Sequence, residues 1–320
     1  MDRISLCKQV NIMILRDKPH ALRLFFIIKG SVVPIVASKI LFVTLLGTAV
    51  AWVEYYYSYL FPPLAVAPMA FFGVALSLFL GFRNNASYER WWEARKQWGK
   101  LIVESKSLTR QIISYIDFDK VGGETTKKRL VLLIVAYNHA LRHYLRKTEP
   151  WNDIEALLGS SDVKILKGAE NVPDTILLLI GMELSGCLQK DSISDFAIQN
   201  FDNHLTQLTS VQAACERIKN TPIPFAYMLL VQRTTYLYCF TAPFAIVASL
   251  GVFTPLFCAV IAYTFFGLDA LSDELEEPFG TSANDLPLEA LTRMTEINLR
   301  SMLGEVELPK PILPVQHILT

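Results

Sequence analysis

The fold this sequence predicts is an all-α integral membrane protein with four transmembrane helices and a large helical insert, and three observations predict it. Apolar residues make up 52% of the 320 positions, a balance that points to a bilayer rather than to one large water-soluble domain. Uncharged apolar stretches long enough to cross a membrane occur in two places, and turn-forming residues divide each of them. The remaining segments are rich in charge and carry apolar residues at helical spacing.

A helix needs about 20 mainly apolar residues to cross a hydrocarbon core of about 30 Å. The first stretch begins near Ser31, contains only Lys39 and Glu54 as charges, and then runs uncharged from Tyr55 to Phe82. Pro62 and Pro63 divide it, because proline breaks the helical hydrogen-bond ladder. The second runs uncharged from Thr234 to Leu268. As one helix it would be about 50 Å long at 1.5 Å per residue, too long for a single crossing. Gly251 and Pro255 supply the turn of a helical hairpin. Spans are therefore predicted at 31–54, 63–83, 224–249 and 254–271.

Two shorter apolar runs, 130–141 and 175–182, are bounded by charge and too brief to cross, which suits buried core helices. They lie in a polar insert, 84–220, where Leu205, Leu208, Val211, Cys215 and Ile218 mark one buried helical face. The predicted organisation is an N-terminal segment 1–30, spans one and two at 31–83, the insert 84–220, spans three and four at 221–271, and a C-terminal segment 272–320.

Charge and cysteine content exclude several classes. Lysine plus arginine number 30 and so do aspartate plus glutamate, which leaves no basic excess for nucleic acid. The five cysteines are scattered, without the paired spacing of a zinc site or a disulfide scaffold. The first apolar stretch lacks a small-residue cleavage site and is expected to be retained. Arg16, Lys18, Arg23 and Lys29 precede span one, Arg83, Arg90, Arg95, Lys96 and Lys100 follow span two, and Arg217, Lys219 and Arg233 surround the start of span three. The connections at 54–62 and 249–254 carry no lysine or arginine. The positive-inside rule places both termini and the insert in the cytoplasm.

Span two carries two adjacent ridges. Gly73, Ser77 and Gly81 recur every fourth residue, a small-residue ridge that permits close helix approach. Val74, Leu78 and Phe82 share that spacing and stack beside it. Pattern alone leaves open whether this apolar ridge meets lipid, a bundle core or a water-filled axis. If several copies of the helix surrounded an axis, the small ridge would contact the neighbouring helix and the apolar ridge would form rings able to gate by dewetting.

The run GFRNNASYERWWEARKQWGKL (81–101), followed by TPIPFAY (221–227), EEPFG (276–280) and NDLPL (284–288), resembles the bestrophin family, and most closely its bacterial branch. The landmarks extend over most of the chain in the family's order. What the resemblance implies is a homopentameric ion channel of the bacterial inner membrane, with four membrane helices per subunit, a large helical cytosolic domain and a central pore. The five segments above would then form one channel domain. The resemblance also implies a narrow neck made by three apolar side chains of span two, here Val74, Leu78 and Phe82, and a second constriction at the cytosolic end. Counting back from Pro224 places that constriction at Phe196, with Ala197 as the alternative one residue on. The expected partners are further copies of the chain, the lipid bilayer and small permeant ions. Closeness to the bacterial branch implies monovalent cations (Na+ or K+), with a chloride channel of the same architecture as the alternative.

Asp269, Asp273, Glu274, Glu276 and Glu277 lie at and beyond the end of span four, with 269, 273 and 276 or 277 on one helical face. Animal bestrophins hold calcium in the corresponding region with a longer run of acids after the Pro-Phe-Gly motif. Here Thr281, Ser282, Ala283 and Asn284 follow Gly280, leaving Glu274, Glu277 and Asp285 as residual candidates. Calcium prefers six to eight oxygen ligands, so no calcium or other cofactor is expected. His139 and His143 have the four-residue spacing of two metal ligands but no H-E-x-x-H pattern, and no metal is expected there either. Trp91, Trp92 and Trp98 sit among cations just past span two, as in a juxtamembrane helix. No P-loop, dinucleotide fingerprint or nucleophile elbow occurs, and the chain is not expected to be an enzyme. The rival classes are a secondary transporter, which would show broken helices and buried charges near the midplane, and a non-conducting membrane scaffold.

Overall fold

The computed structural model describes residues 27–28, 30–57, 66–117 and 123–314. Among these residues every regular element is helical: α1 (Val33–Tyr56), α2 (Val66–Tyr115), α3 (Gly123–Arg146), α4 (Trp151–Ile154), α5 (Ser160–Lys167), α6 (Val172–Gln189), α7 (Asp195–Asn220), α8 (Phe225–Leu250), α9 (Thr254–Glu276) and α10 (Leu288–Met302). They form two compact units. One contains the described parts of 16–92 and 222–278, the other those of 93–221 and 279–320.

The first unit is the apolar one. It contains α1, the first half of α2, α8 and α9, and all four contribute to one core that includes Val36, Val43, Leu76, Leu80, Tyr238, Cys258, Ala262 and Phe266. Gly251 ends α8 with φ +50°, a conformation that favours glycine. A single 3-10 turn, Gly251–Phe253, leads into α9. Thr254 Oγ1 donates to the Gly251 carbonyl at 2.7 Å, and Pro255 occupies the first turn of α9, where its missing N–H costs nothing. The predicted hairpin is therefore present, with α8 and α9 packed together and both against α1. Close approach of α1 and α9 depends on Gly47, where an added Cβ would stand 3.0 Å from Cys258 Sγ.

Three predicted spans match α1, α8 and α9, with α9 running five residues past position 271. The span predicted to end at 83 lies within a longer helix. Helix α2 continues without interruption to Tyr115, because the change at Arg83 is one of charge and no proline breaks the ladder.

The second unit is built around α3. Leu130, Val131, Leu133–Leu141 and Arg142 are nearly all buried, around the full circumference of the helix, as expected for a helix enclosed by others. The run 130–141 is thus a core helix, enclosed by α6, α7 and α10. The run 175–182 lies within the 18-residue α6, which starts with Asn171 Oδ1 accepting from the Asp174 amide at 3.2 Å. By length and composition alone α6 is long enough to cross a membrane, so brevity was the wrong reason for excluding it. Its Ile176, Leu177, Leu179, Ile180 and Leu184 are buried. On α7 the predicted face is buried at Leu208, Val211, Cys215 and Ile218, joined by Gln212, while Leu205 is half-buried.

Helix α2 is held against α8 by a glycine. A Cβ at Gly73 would lie 2.5 Å from Tyr238 Oη and 3.0 Å from its Cζ, and Tyr238 is itself wedged edge-on against Phe72 and Phe265. Gly73→Ala is expected to destabilise the protein by about 1–3 kcal/mol through overpacking, read as a lower thermal midpoint in detergent. Adding Tyr238→Phe, which removes the nearest atom, should recover part of that loss.

Candidate functional site

The two ridges of α2 have different environments. Gly73 is buried with Leu76, Leu80, Arg83 and Ser87 in the core of the first unit. Val74, Leu78 and Phe82 point away from that core, with 70%, 56% and 55% of their surfaces exposed. The small-residue ridge is divided between these environments. Gly73 packs on Tyr238 of the same chain, whereas Ser77 and Gly81 are exposed, and no atom lies within 4 Å of a Cβ built at Gly81. Ser77 Oγ donates back to the Gly73 carbonyl at 2.8 Å, which satisfies its hydroxyl within the helix.

Arg83 follows Phe82 and points the other way. Its side chain is fully buried, with ion pairs to Asp269 and Asp273 of α9 and a longer contact of 3.9 Å to Glu276. Asn84 Nδ2 adds a bond to the Leu268 carbonyl at 3.2 Å, and Arg90 Nε donates to the Glu276 carbonyl at 2.7 Å. Glu276 also accepts from the Ile223 amide at 3.1 Å, tying the approach to α8 into the same cluster. The spacing 269, 273, 276 read as one acidic helical face is therefore correct, but the face is not a bare cytosolic surface. It is the counter-charge of a buried arginine, a role that the isolated arginine at the end of an apolar helix could have signalled.

The remaining candidates fall elsewhere. Phe196 is 83% exposed in the first turn of α7, whereas Ala197 is 8% exposed and its amide donates to Ser194 Oγ at 3.2 Å. Of the pair, only Phe196 presents a side chain outward. Glu274 and Glu277 belong to the first unit, and Asp285 to the second, where its Oδ2 accepts from the Ser282 amide at 2.6 Å. Among the described residues no group of three or more His, Cys, Asp or Glu side chains is arranged to hold a metal ion.

His139 and His143 each face a different carboxylate. His139 Nε2 lies 3.0 Å from Glu296 Oε2, and His143 Nε2 lies 2.8 Å from Asp153 Oδ2. Burial alone would raise the Glu296 carboxyl, but the hydrogen bond and charge of His139, with Arg293 and Arg300, outweigh it and hold it below its ordinary value. The His143 hydrogen bond, opposed by burial and helped by Arg142, holds Asp153 well below the carboxylate range. Depressed carboxyl pKa values stabilise the fold above the unfolded values and lose that contribution as pH falls through the folded ones. The thermal midpoint is expected to fall on acidification below about pH 4.5, and Glu296→Gln should flatten that profile.

A helical bundle with four apolar membrane helices and an outward-facing apolar ridge defines a multi-pass membrane protein. The sequence profile described as "Bacterial/Fungal Bestrophin protein" matches residues 13–301, and the chain belongs to that family. It is 40% identical over 304 residues to a voltage-dependent anion channel-forming protein of Mesorhizobium japonicum, covering 95% of this chain and 96% of that one. It is 39% identical over 305 residues to the voltage-dependent anion channel-forming protein YneE of Escherichia coli K12, covering 95% and 99%. A crystal structure of a bacterial bestrophin homologue from Klebsiella pneumoniae superposes with a TM-score of 0.80 at 38% identity, covering 85% of this chain and 99% of that one.

Proposed function

We propose that this chain is the subunit of a homopentameric ion channel in which five α2 helices surround the pore. Val74, Leu78 and Phe82 form its neck, and small monovalent ions pass passively through their rings. The observation that carries this reading is the exposure of all three side chains on the face of α2 opposite its packed residues. Exposed Ser77 and Gly81 give the neighbouring copy a smooth surface for close approach. Phe196, exposed at the start of α7, is the cytosolic aperture. The membrane is the bacterial inner membrane, with both termini in the cytoplasm, as the distribution of lysine and arginine supports.

Anions are the favoured ions. The names of the Mesorhizobium and Escherichia relatives support this sign, and pairing of Asp269, Asp273 and Glu276 with Arg83 leaves less free acidity to favour cations. Single-channel recording from purified protein in planar bilayers tests both function and sign. Discrete unitary currents that reverse toward the chloride potential in a salt gradient are expected, from particles with a fivefold axis. Stoichiometric coupled flux would mean a transporter, and silence a scaffold. Phe196→Ala should alter permeability among ions of different size. Unchanged conductance and selectivity would remove Phe196 from the pore.

A further inference from the structure

Between positions 66 and 92, helix α2 carries three charged side chains: Arg83, Glu89 and Arg90. Two of them are committed to α9. Arg83 is buried against Asp269 and Asp273, and Arg90 donates to the Glu276 carbonyl at 2.7 Å in the field of Glu276 and Glu277. Glu89 is exposed.

Its angular position is informative. At 100° per residue, Glu89 lies about 20° from Phe82 and about 20° from Leu78 around the helix axis. It therefore continues the exposed ridge of Val74, Leu78 and Phe82, one heptad or ~10.5 Å beyond Phe82. Arg83 and Arg90 lie about 100° and 80° from Phe82, off that ridge. The same face of α2 thus presents three uncharged side chains and then a carboxylate.

We propose that Glu89 is a selectivity-determining residue, its carboxylates forming a ring of negative charge at the cytosolic mouth of the neck that concentrates cations and disfavours anions. This inference rests on the pore reading of α2. A carboxylate ring favours cation passage in channels, and a cleft with low-dielectric walls strengthens its field. The neck supplies a dry constriction without fixed charge, so ion sign is biased just beyond it. In a channel that prefers anions, Glu89 limits that preference.

The test is the cation-to-anion permeability ratio, from reversal potentials of purified channels in asymmetric KCl. Glu89→Gln is expected to lower the ratio roughly fivefold, Glu89→Lys to lower it further, and Glu89→Asp to keep it near the wild-type value. The difference between wild type and Glu89→Gln should shrink from 0.1 M to 1 M salt, where the screening length falls from about 10 Å to about 3 Å. An unchanged ratio in Glu89→Gln at low salt would overturn the inference. Phe82→Ala in the same assay separates this from failure of the pore reading. If Phe82→Ala changes unitary conductance and Glu89→Gln leaves the ratio alone, the ring is wrong and the pore stands. If Phe82→Ala leaves conductance untouched, both fall.

A cysteine at the same position gives an arm that does not depend on comparing separately folded variants. The described cysteines, Cys187, Cys215, Cys239 and Cys258, are all buried, so Glu89→Cys in a Cys7→Ser background offers an exposed thiol. Labelling one preparation with an anionic and with a cationic methanethiosulfonate should move the ratio in opposite directions. Equal effects of the two reagents would overturn the proposal.

Discussion

Arg83→Ala is expected to cost about 3–5 kcal/mol of stability, the penalty for removing one partner of a buried ion pair. The reason is what the substitution leaves behind. Asp269 is 2% exposed beside the position vacated by the guanidinium, so its carboxylate would be enclosed without its counter-charge. Asp273 would lose less, because 48% of its side chain already meets solvent. The measurement is the thermal midpoint of the purified protein with single and double variants in a cycle. Arg83→Met with Asp269→Leu should recover most of the loss, since replacing both members of a buried pair by apolar groups of similar size is often near neutral. A small loss in Arg83→Ala alone would mean that Asp269 is hydrated rather than enclosed.

Replacing Val74, Leu78 and Phe82 together by alanine is expected to raise unitary conductance at least about tenfold, the change produced by lowering a barrier by ~1.4 kcal/mol. In the proposed pore each substitution removes apolar bulk from a ring that would exclude water, so the constriction would both widen and wet. Stability should change little, because all three side chains are largely exposed within the subunit and contribute little to its core. A triple variant that folds and conducts like wild type would move the neck away from this face of α2.

The number and place of the apolar helices were legible because crossing a bilayer imposes a length and a composition that few other constraints mimic. Gly251 and Pro255 marked the hairpin by local backbone chemistry, and the end of α8 and start of α9 follow from it. The continuation of α2 to Tyr115 was not legible at Arg83, because charge reports the edge of a membrane span and not the end of a helix. What periodicity could not supply was the identity of distant partners. Arg83 and Asp269 are 186 positions apart, and nothing in the local spacing of either names the other. Gly73 looked like part of a uniform ridge with Ser77 and Gly81 until Tyr238 was seen to occupy the space beside it. For Phe196 and Ala197, adjacent residues differ by 100° around a helix. The Ser194 cap, which fixes where α7 begins, decides which of them faces out.

The contacts of Gly73 with Tyr238 and of Arg83 with α9 together remove a degree of freedom. They lie ten residues, or ~15 Å, apart along one helix, and each fixes the azimuth of α2 independently: the first tolerates no side chain, the second no neutral one. Spinning α2 by a single residue position would drive a Cβ into the tyrosine and strand the arginine away from its carboxylates at once. Phe82 therefore cannot be swung out of line by screwing the helix within its own subunit. In the proposed channel, opening and closing of the neck would be left to tilting of whole subunits and to rotamer changes of Leu78 and Phe82. A spin label on α2 should accordingly report changes in distance between subunits with little change in its orientation against α8.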